Sequence, residues 1–405
     1  MGANQPDNNN MQTTFFGTVM ATETQRRSNV RRKMDSLRLA ALFAGGCLVL
    51  GCQRAGERND YQPRVAPEVS SRQLVRTEIV PTLDTPLGKS GNAVWCATFQ
   101  IAWNRARDEV IGGPLQVANA QRLANRLNNS PVTEAALPSG SYFAAAGRLE
   151  DGILETIRRG MARQFPDVHL PDFSGAVGFV TYGYLDTKVT FRTPFVDTIQ
   201  PIEFSDAAGV THSVRGFGLQ EGDWDLCAKQ AAQVKVLFSQ GDDESDGSSL
   251  SAFALDLTAD QTEQQVIVAV LPRAGHLRSA LDDLATRIEK SAPDNEHSAR
   301  LQESDTLAIP NVSFHVNHEF SQLQGVDKII ENSGEFKGLY IMNAAQSIRF
   351  RLDKSGATVV SKSHMTLAAD PRHFVVDRPF LIVMKRRSSE QPFFVAWIDN
   401  VELVE

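Results

Sequence analysis

The chain has little cysteine: four in 405 residues, with Cys47 and Cys52 close to the N-terminus. The remaining pair, Cys96 and Cys227, is too small for a disulfide framework or a cysteine-built zinc site. It reads either as one bridge, in an oxidising compartment, or as two buried thiols. Histidine is sparse too, with eight residues in the chain. Its densest spot, His315-Val316-Asn317-His318-Glu319, falls where Val312, Phe314 and Val316 alternate as in a strand. That alternation sends the two imidazoles to opposite faces, so no metal is expected there. No Gly-rich phosphate loop follows a strand, and neither a GxSxG elbow nor an HExxH helix occurs. Nothing pairs a nucleophile with a base and no cofactor is implied. The chain reads as a protein that binds or changes conformation, not as an enzyme.

Positive charge is short as well. Residues 1–52 carry six Lys/Arg against three Asp/Glu, which leaves 35 against 45 in the rest of the chain. A body that acidic does not fit nucleic acid. The basic part has the shape of an address: Arg31, Arg32, Lys33 and Arg38 precede the apolar run LAALFAGGCLVLG, residues 39–51, which is too short to span a bilayer comfortably. Val49-Leu50-Gly51-Cys52 resembles a bacterial lipoprotein lipobox, with Leu50 bulkier than usual. That resemblance implies a signal peptide cleaved before Cys52 and a lipid on its thiol. The expectation is an exported protein, anchored at the cell envelope through Cys52 or, alternatively, secreted; Met34 would serve as an alternative start. Residues 53–78 are polar, lack apolar periodicity and read as a flexible tether. One domain is expected over residues 79–405.

Within that domain helices come first. From Ala93 the pattern is helical, with Val94, Ala97, Phe99, Ile101 and Ala102 on one broad face, and Gly112-Gly113-Pro114 stops it. Residues 115–127 and 152–165 predict two more amphipathic helices. After Pro171 the period changes to that of strands, at 177–184, 188–192, 200–204, 234–238, 250–257 and 265–271. The acidic stretch SQGDDESDGSS joins two of them as a solvated hairpin tip. Leu277, Leu281, Leu284 and Ile288 stand at helical spacing. Helices first and mostly strands later argue for an α+β fold.

One run does not fit a plain strand. Phe374-Val375-Val376-Asp377-Arg378-Pro379-Phe380 and the apolar residues to Met384 place a proline inside an apolar stretch. Proline cannot donate to a β-ladder, so this predicts an extended piece at 374–376, a bend at 377–379 and a buried strand at 380–384. The same residues, Phe374, Val376, Asp377, Arg378, Pro379 and Phe380 above all, resemble the short pattern that marks the C-terminal region of serpins. Further stretches match in order. Gln346 to Thr358 resembles the strand and hinge before a serpin reactive loop. Ile309-Pro310-Asn311 with Phe320, Leu323 and Gly325 resembles the unit before it. Val266 to Pro272 and Lys188 to Phe195 resemble two sheet strands, and the last apolar strand is matched by residues 393–398. The resemblance covers roughly residues 175–405. Earlier in the chain the helical part is shorter than in serpins, and Thr187 replaces an asparagine of the family's sheet.

The resemblance implies helices packed on a large central β-sheet plus smaller sheets, a monomer, and an exposed reactive loop at about 357–373. In serpins that cleaved loop enters the large sheet as an extra strand and carries the attacking serine or cysteine protease with it. The hinge would be Gly356, Ala357, Thr358, Val359, Ser361 and Ser363, whose inward-pointing members are small, as an inserting strand needs. The scissile region would include Leu367-Ala368, Asp370 or Arg372. Two features depart from the inhibitory pattern: Lys354 stands at the hinge acid position, and the Ala-rich run is absent. Two expectations follow: a protease inhibitor, or a non-inhibitory serpin-like binding or scaffold lipoprotein with a protein ligand.

Overall fold

The computed structural model describes residues 66–170, 173, 177–241, 250–290, 298–355 and 371–405, all within the compact unit Gln62–Glu405. The most apolar runs of the chain form the middle of a seven-stranded sheet. Its order is β10 (Lys235–Gly241), β11 (Leu250–Asp256), β12 (Gln264–Val270), β17 (Phe380–Arg386), β18 (Pro392–Ile398), β3 (Asn92–Cys96) and β2 (Thr77–Ile79). Every residue of β18 is buried, as expected of a central strand covered on both faces.

A five-stranded sheet has the order β1 (Glu68–Ser70), β14 (Val312–Glu319), β15 (Ile341–Leu352), β5 (Phe179–Lys188) and β4 (Tyr142–Arg148). It meets the seven-stranded sheet through aromatic rings: Phe350 stacks on Phe394 with centroids 4.4 Å apart and planes at 10°. The helix α1 (Ala97–Arg105) packs on β5, β4, β15 and β18. It continues as a π-helical turn over Ala106–Ile111 and stops at Gly112, whose φ of 75° suits glycine. α2 (Gln121–Asn128) packs on α1, and α3 (Ile153–Gln164) lies on β4. Ile153, Ile157, Gly160 and Met161 give α3 a single buried stripe.

A four-stranded sheet runs β16 (His373–Val375), β13 (Thr306–Pro310), β9 (Gly216–Gly218) and β6 (Val196–Asp197). The hairpin of β7 (Ile202–Ser205) and β8 (Thr211–Val214) turns at Gly209. The helices α4 (Trp224–Ala232) and α5 (Leu277–Lys290) complete the described part. The class is α+β, as the order of periodicities predicts.

Three expectations need correction. The helix expected from Ala93 starts only at Ala97, because Asn92–Cys96 is strand β3, hydrogen-bonded to β18 and buried throughout. The stretch expected as a tether reaches into the folded unit: Glu68–Ser70 pairs with β14 and Thr77–Ile79 with β3. Ser70 and Gln73 form a capping box between these strands, which holds the chain against the sheets. Residues 188–192 do not form a separate strand; β5 absorbs Lys188 and Phe191 packs edge-on against Phe195 at 4.7 Å. Cys96 and Cys227 are free, buried thiols, with burial pushing them up to about 12 and about 11. The acidic hairpin tip at 242–249 lies outside the described residues.

Candidate functional site

The opening motif works as a crossover between two sheets. β16 pairs in parallel with β13, placing Phe374 opposite Leu307. Phe374 is buried edge-on against Phe253 at 5.4 Å, and the Val376 amide donates to the Ala308 carbonyl at 2.9 Å. The chain then bends. The Asp377 carbonyl accepts from the Ser205 amide at 2.7 Å, and Arg378 donates to the Asp377 carboxylate at 2.8 Å and to the Leu250 carbonyl. Pro379, which has no amide proton, stands one residue before the β17 ladder begins at Phe380. Phe380 itself is buried near Phe204, with centroids 6.1 Å apart. The motif therefore leaves the four-stranded sheet and enters the seven-stranded one within three residues, which is why it needs Asp-Arg-Pro there.

The segment before the motif joins β15 to β16. Gly356, Ala357, Thr358, Val359, Ser361, Ser363, Leu367, Ala368 and Asp370 lie outside the described residues, as does Cys52. The residues that flank the segment are held by hydrogen bonds at both ends. At its start, Asp353 is buried and accepts from the Ser355 amide at 2.9 Å and from Arg351 Nε at 2.5 Å. The Phe191 and Phe195 amides donate to the Ser355 and Lys354 carbonyls at 3.1 and 3.0 Å. Lys354 Nζ pairs with the Asp197 carboxylate. The basic residue at the hinge thus meets an acid on β6.

At the other end stands Arg372, expected as one of the scissile positions. Its amide donates to Asp305 Oδ1 at 3.0 Å and its Nη2 to Oδ2 at 2.6 Å. Nη1 and Nη2 also reach the Ser298 and Arg300 carbonyls at 2.9 and 2.7 Å, and the guanidinium lies 5.1 Å from the Phe374 ring. A fork held this way anchors the strand and leaves no free side chain for a protease pocket. Arg372 is a structural anchor, and the scissile role does not fit it.

The five-stranded sheet holds the third part. β15 and β5 run parallel from Ile341 opposite Phe179 to Arg351 opposite Lys188, and α1 abuts this pair. A Cβ on Gly183 would stand 2.7 Å from the Thr98 backbone, so only glycine lets β5 approach the helix start. Gln346 Nε2 donates to Thr98 Oγ1 at 2.7 Å and to the Cys96 carbonyl at 3.1 Å. Tyr182 bridges the pair to Ser347 at 3.3 Å, and burial pushes its hydroxyl up to about 12. Thr181 Oγ1 and Gln346 Oε1 are buried and find no partner among the described residues. Orphaned polar atoms of this kind cost about 1–3 kcal/mol each. β5 is thus closely packed on α1 at Gly183, and the β15–β5 pair is poorly satisfied beside it.

The sequence pattern missed Asp305, Asp197, Gln346 and Thr98. Each meets its partner across more than 60 positions. His315 and His318 stand three apart on β14; His318 Nδ1 is 2.8 Å from Ser71 Oγ and His315 Nδ1 is 3.9 Å from Glu68. No group of three metal-ligating side chains occurs among the described residues.

The model of one family, serpin (serine protease inhibitor), matches residues 220–400. An alpha-1-antitrypsin-like protein of Tamias sibiricus is 23% identical over 164 residues, which is 38% of this chain and 38% of that relative. The chain thus spans under half the length of that curated relative. Among solved structures, native protease nexin-1 with heparin is similar at a TM-score of 0.47 and 11% identity, covering 76% of this chain and 92% of the other. The thyroxine-binding globulin complex with thyroxine is similar at 0.41 and 13%, covering 65% and 77%. The family match takes in the hinge strand, the crossover motif and the last apolar strand, the stretches in which this chain is similar to serpins. It is narrower than the stretch from residue 175 that the sequence suggests. The matched family is described as inhibitors, not as catalysts.

Proposed function

We propose that the chain is a serpin-like protease inhibitor in which residues 356–370 serve as the bait and enter the five-stranded sheet between β15 and β5 after cleavage. One observation carries this reading: β15 and β5 are parallel, and the segment in question leaves β15 at its end. A strand that turns back from β15 runs antiparallel to both neighbours, and antiparallel ladders are slightly more stable per residue. Insertion therefore replaces a parallel pair by two antiparallel ones. The lengths agree. The twelve residues of β15 span about 40 Å and the fifteen residues 356–370 reach about 50 Å when extended. The orphaned Thr181 and Gln346 side chains favour separation of the pair by offering water or a new strand something to satisfy.

With Arg372 committed to Asp305, cleavage falls upstream, where Leu367-Ala368 is the bond we favour. A non-inhibitory binding role is the second reading, supported by Lys354 at the hinge and Asp370-Pro371 near the expected scissile bond. Export, and anchoring of the domain to a membrane through lipid on Cys52, belong to the same proposal. They rest on the basic and apolar pattern before Cys52. The partner is then a protease outside the cytoplasm. Incubation of the full chain with a panel of serine and cysteine proteases tests the reading: a complex stable to denaturing gel electrophoresis supports it, and turnover of the chain as a plain substrate by every protease argues for the binding role.

A further inference from the structure

The outer face of the four-stranded sheet carries a groove that the inhibitory reading does not use. Two adjoining cavities of about 500 and 400 Å³ share Leu219, Gln220, Glu221, Thr306 and Leu307 as a common wall. The floor is apolar, from Leu219, Leu307 and Val375. At one end Ile199 is 73% exposed and at the other Trp224 is 69% exposed, two of the few large apolar side chains the described residues leave in water. Scattered apolar residues need no explanation, but two that flank one groove do.

The charge of the groove has one sign. Asp197, Glu203, Glu221, Glu303, Asp305 and Asp377 line it, and no Lys or Arg does. Asp197, Asp305 and Asp377 are neutralised by Lys354, Arg372 and Arg378 at its edges. Glu203, Glu221 and Glu303 have no ion pair among the described residues. Three free carboxylates around an apolar floor repel one another and invite a cation whose neighbour is apolar.

We propose that this groove docks a partner protein that presents Lys or Arg beside a large apolar side chain, the apolar group lying between Ile199 and Trp224 and the cation meeting Glu221 and its neighbours. The body of the chain is itself acidic, so a second copy is a poor occupant. The groove adjoins β16, the strand that follows residues 356–370. A partner engaged there sits beside β16 whether or not residues 356–370 ever insert, and the docking goes beyond the inhibitory reading.

Trp224 is a built-in reporter, because Trp95, Trp103 and Trp397 are buried and only Trp224 is open to a collisional quencher. A phage-displayed dodecapeptide library is panned against the full chain and counter-selected on the I199S/W224S variant. The expected peptides carry Lys or Arg next to an aliphatic or aromatic residue, and a synthetic copy of the consensus shields Trp224 from acrylamide. Binding weakens about tenfold in E203Q/E221Q/E303Q and falls with added salt. Glu203 and Glu221 are exposed and Glu303 is half-buried, and the three neutral replacements are expected to leave the melting temperature close to that of the wild type. The proposal is overturned if no peptide is enriched, if the enriched set has no basic bias, or if Trp224 stays quenchable at saturation. Shielding that grows with protein concentration and no peptide would instead assign the groove to a second copy, and would overturn it equally.

Discussion

Asp305, with its side chain 2% exposed, holds Arg372 by both the guanidinium and the backbone amide. This pair fixes the chain directly before β16, the strand that His373 opens. Removing one partner leaves a buried charge without compensation. We expect D305N and R372A each to lower unfolding stability by about 3–5 kcal/mol, measured as a shift of the urea midpoint. Trypsin nicking of the native wild type followed by N-terminal sequencing should show no cleavage after Arg372.

Lys354 and Asp197 make a second anchor at the other end of the segment. Asp197 is 60% exposed, so the pair is screened and its coupling should be under about 1 kcal/mol. K354E places two acids together and D197K two bases; each should destabilise slightly, and the double exchange should recover most of the loss. A double-mutant cycle on thermal melts checks this, and no recovery would mean that the two side chains do not meet.

Gly183 opposes the start of α1 so closely that a methyl group there meets backbone. G183A should cost about 1–3 kcal/mol, and because the strain falls on β5 it should also ease the parting of β5 from β15. Hydrogen exchange along 179–188 should quicken in G183A relative to wild type. Unchanged exchange would show that the clash is relieved by moving α1 instead.

His318 is held well below the ordinary imidazole range, to about 4, first by burial and then by the Arg72 charge; burial lowers His315 as well. A folded value below the unfolded one near 6.5 means that the fold prefers neutral imidazole. The associated stability is fully present above about pH 6.5 and is lost as pH falls toward 4. Unfolding stability from urea titrations should drop by an amount on the order of 3 kcal/mol over that window, and the midpoints should fall with it. They should drop less in H318Q, in which the contact of β14 with the Ser71 turn no longer depends on protonation.

The parts of the fold that could be read beforehand are those whose cause is local. Pro379 marks its own crossover because a residue without an amide proton cannot sit inside a ladder, and α5 shows its stripe because Leu277 and Leu284 recur at helical spacing. β3 was hidden because Val94, Ala97 and Ile101 also fit a helix, and only pairing with β18 decides for a strand. β4 was missed for a similar reason: Ala144, Ala145 and Ala146 favour helices, and sheet partners on one side with α3 on the other override that preference. α4 was missed although Asp223, which caps it by accepting from the Leu226 amide, is a local signal. The anchors at Asp305 and Asp197 were not legible, since each depends on a partner brought near only by the finished sheets.

The central claim is that residues 356–370 can enter between β15 and β5. The most direct measurement is the melting temperature of the full chain before and after a single cut in that segment, with the cut located by mass spectrometry. Insertion forms two antiparallel ladders at the cost of one parallel one, a net gain of one ladder, so the account predicts a rise of at least about 10 °C. A cut in the same place with an unchanged or lower melting temperature would contradict it, and the binding role would then stand alone.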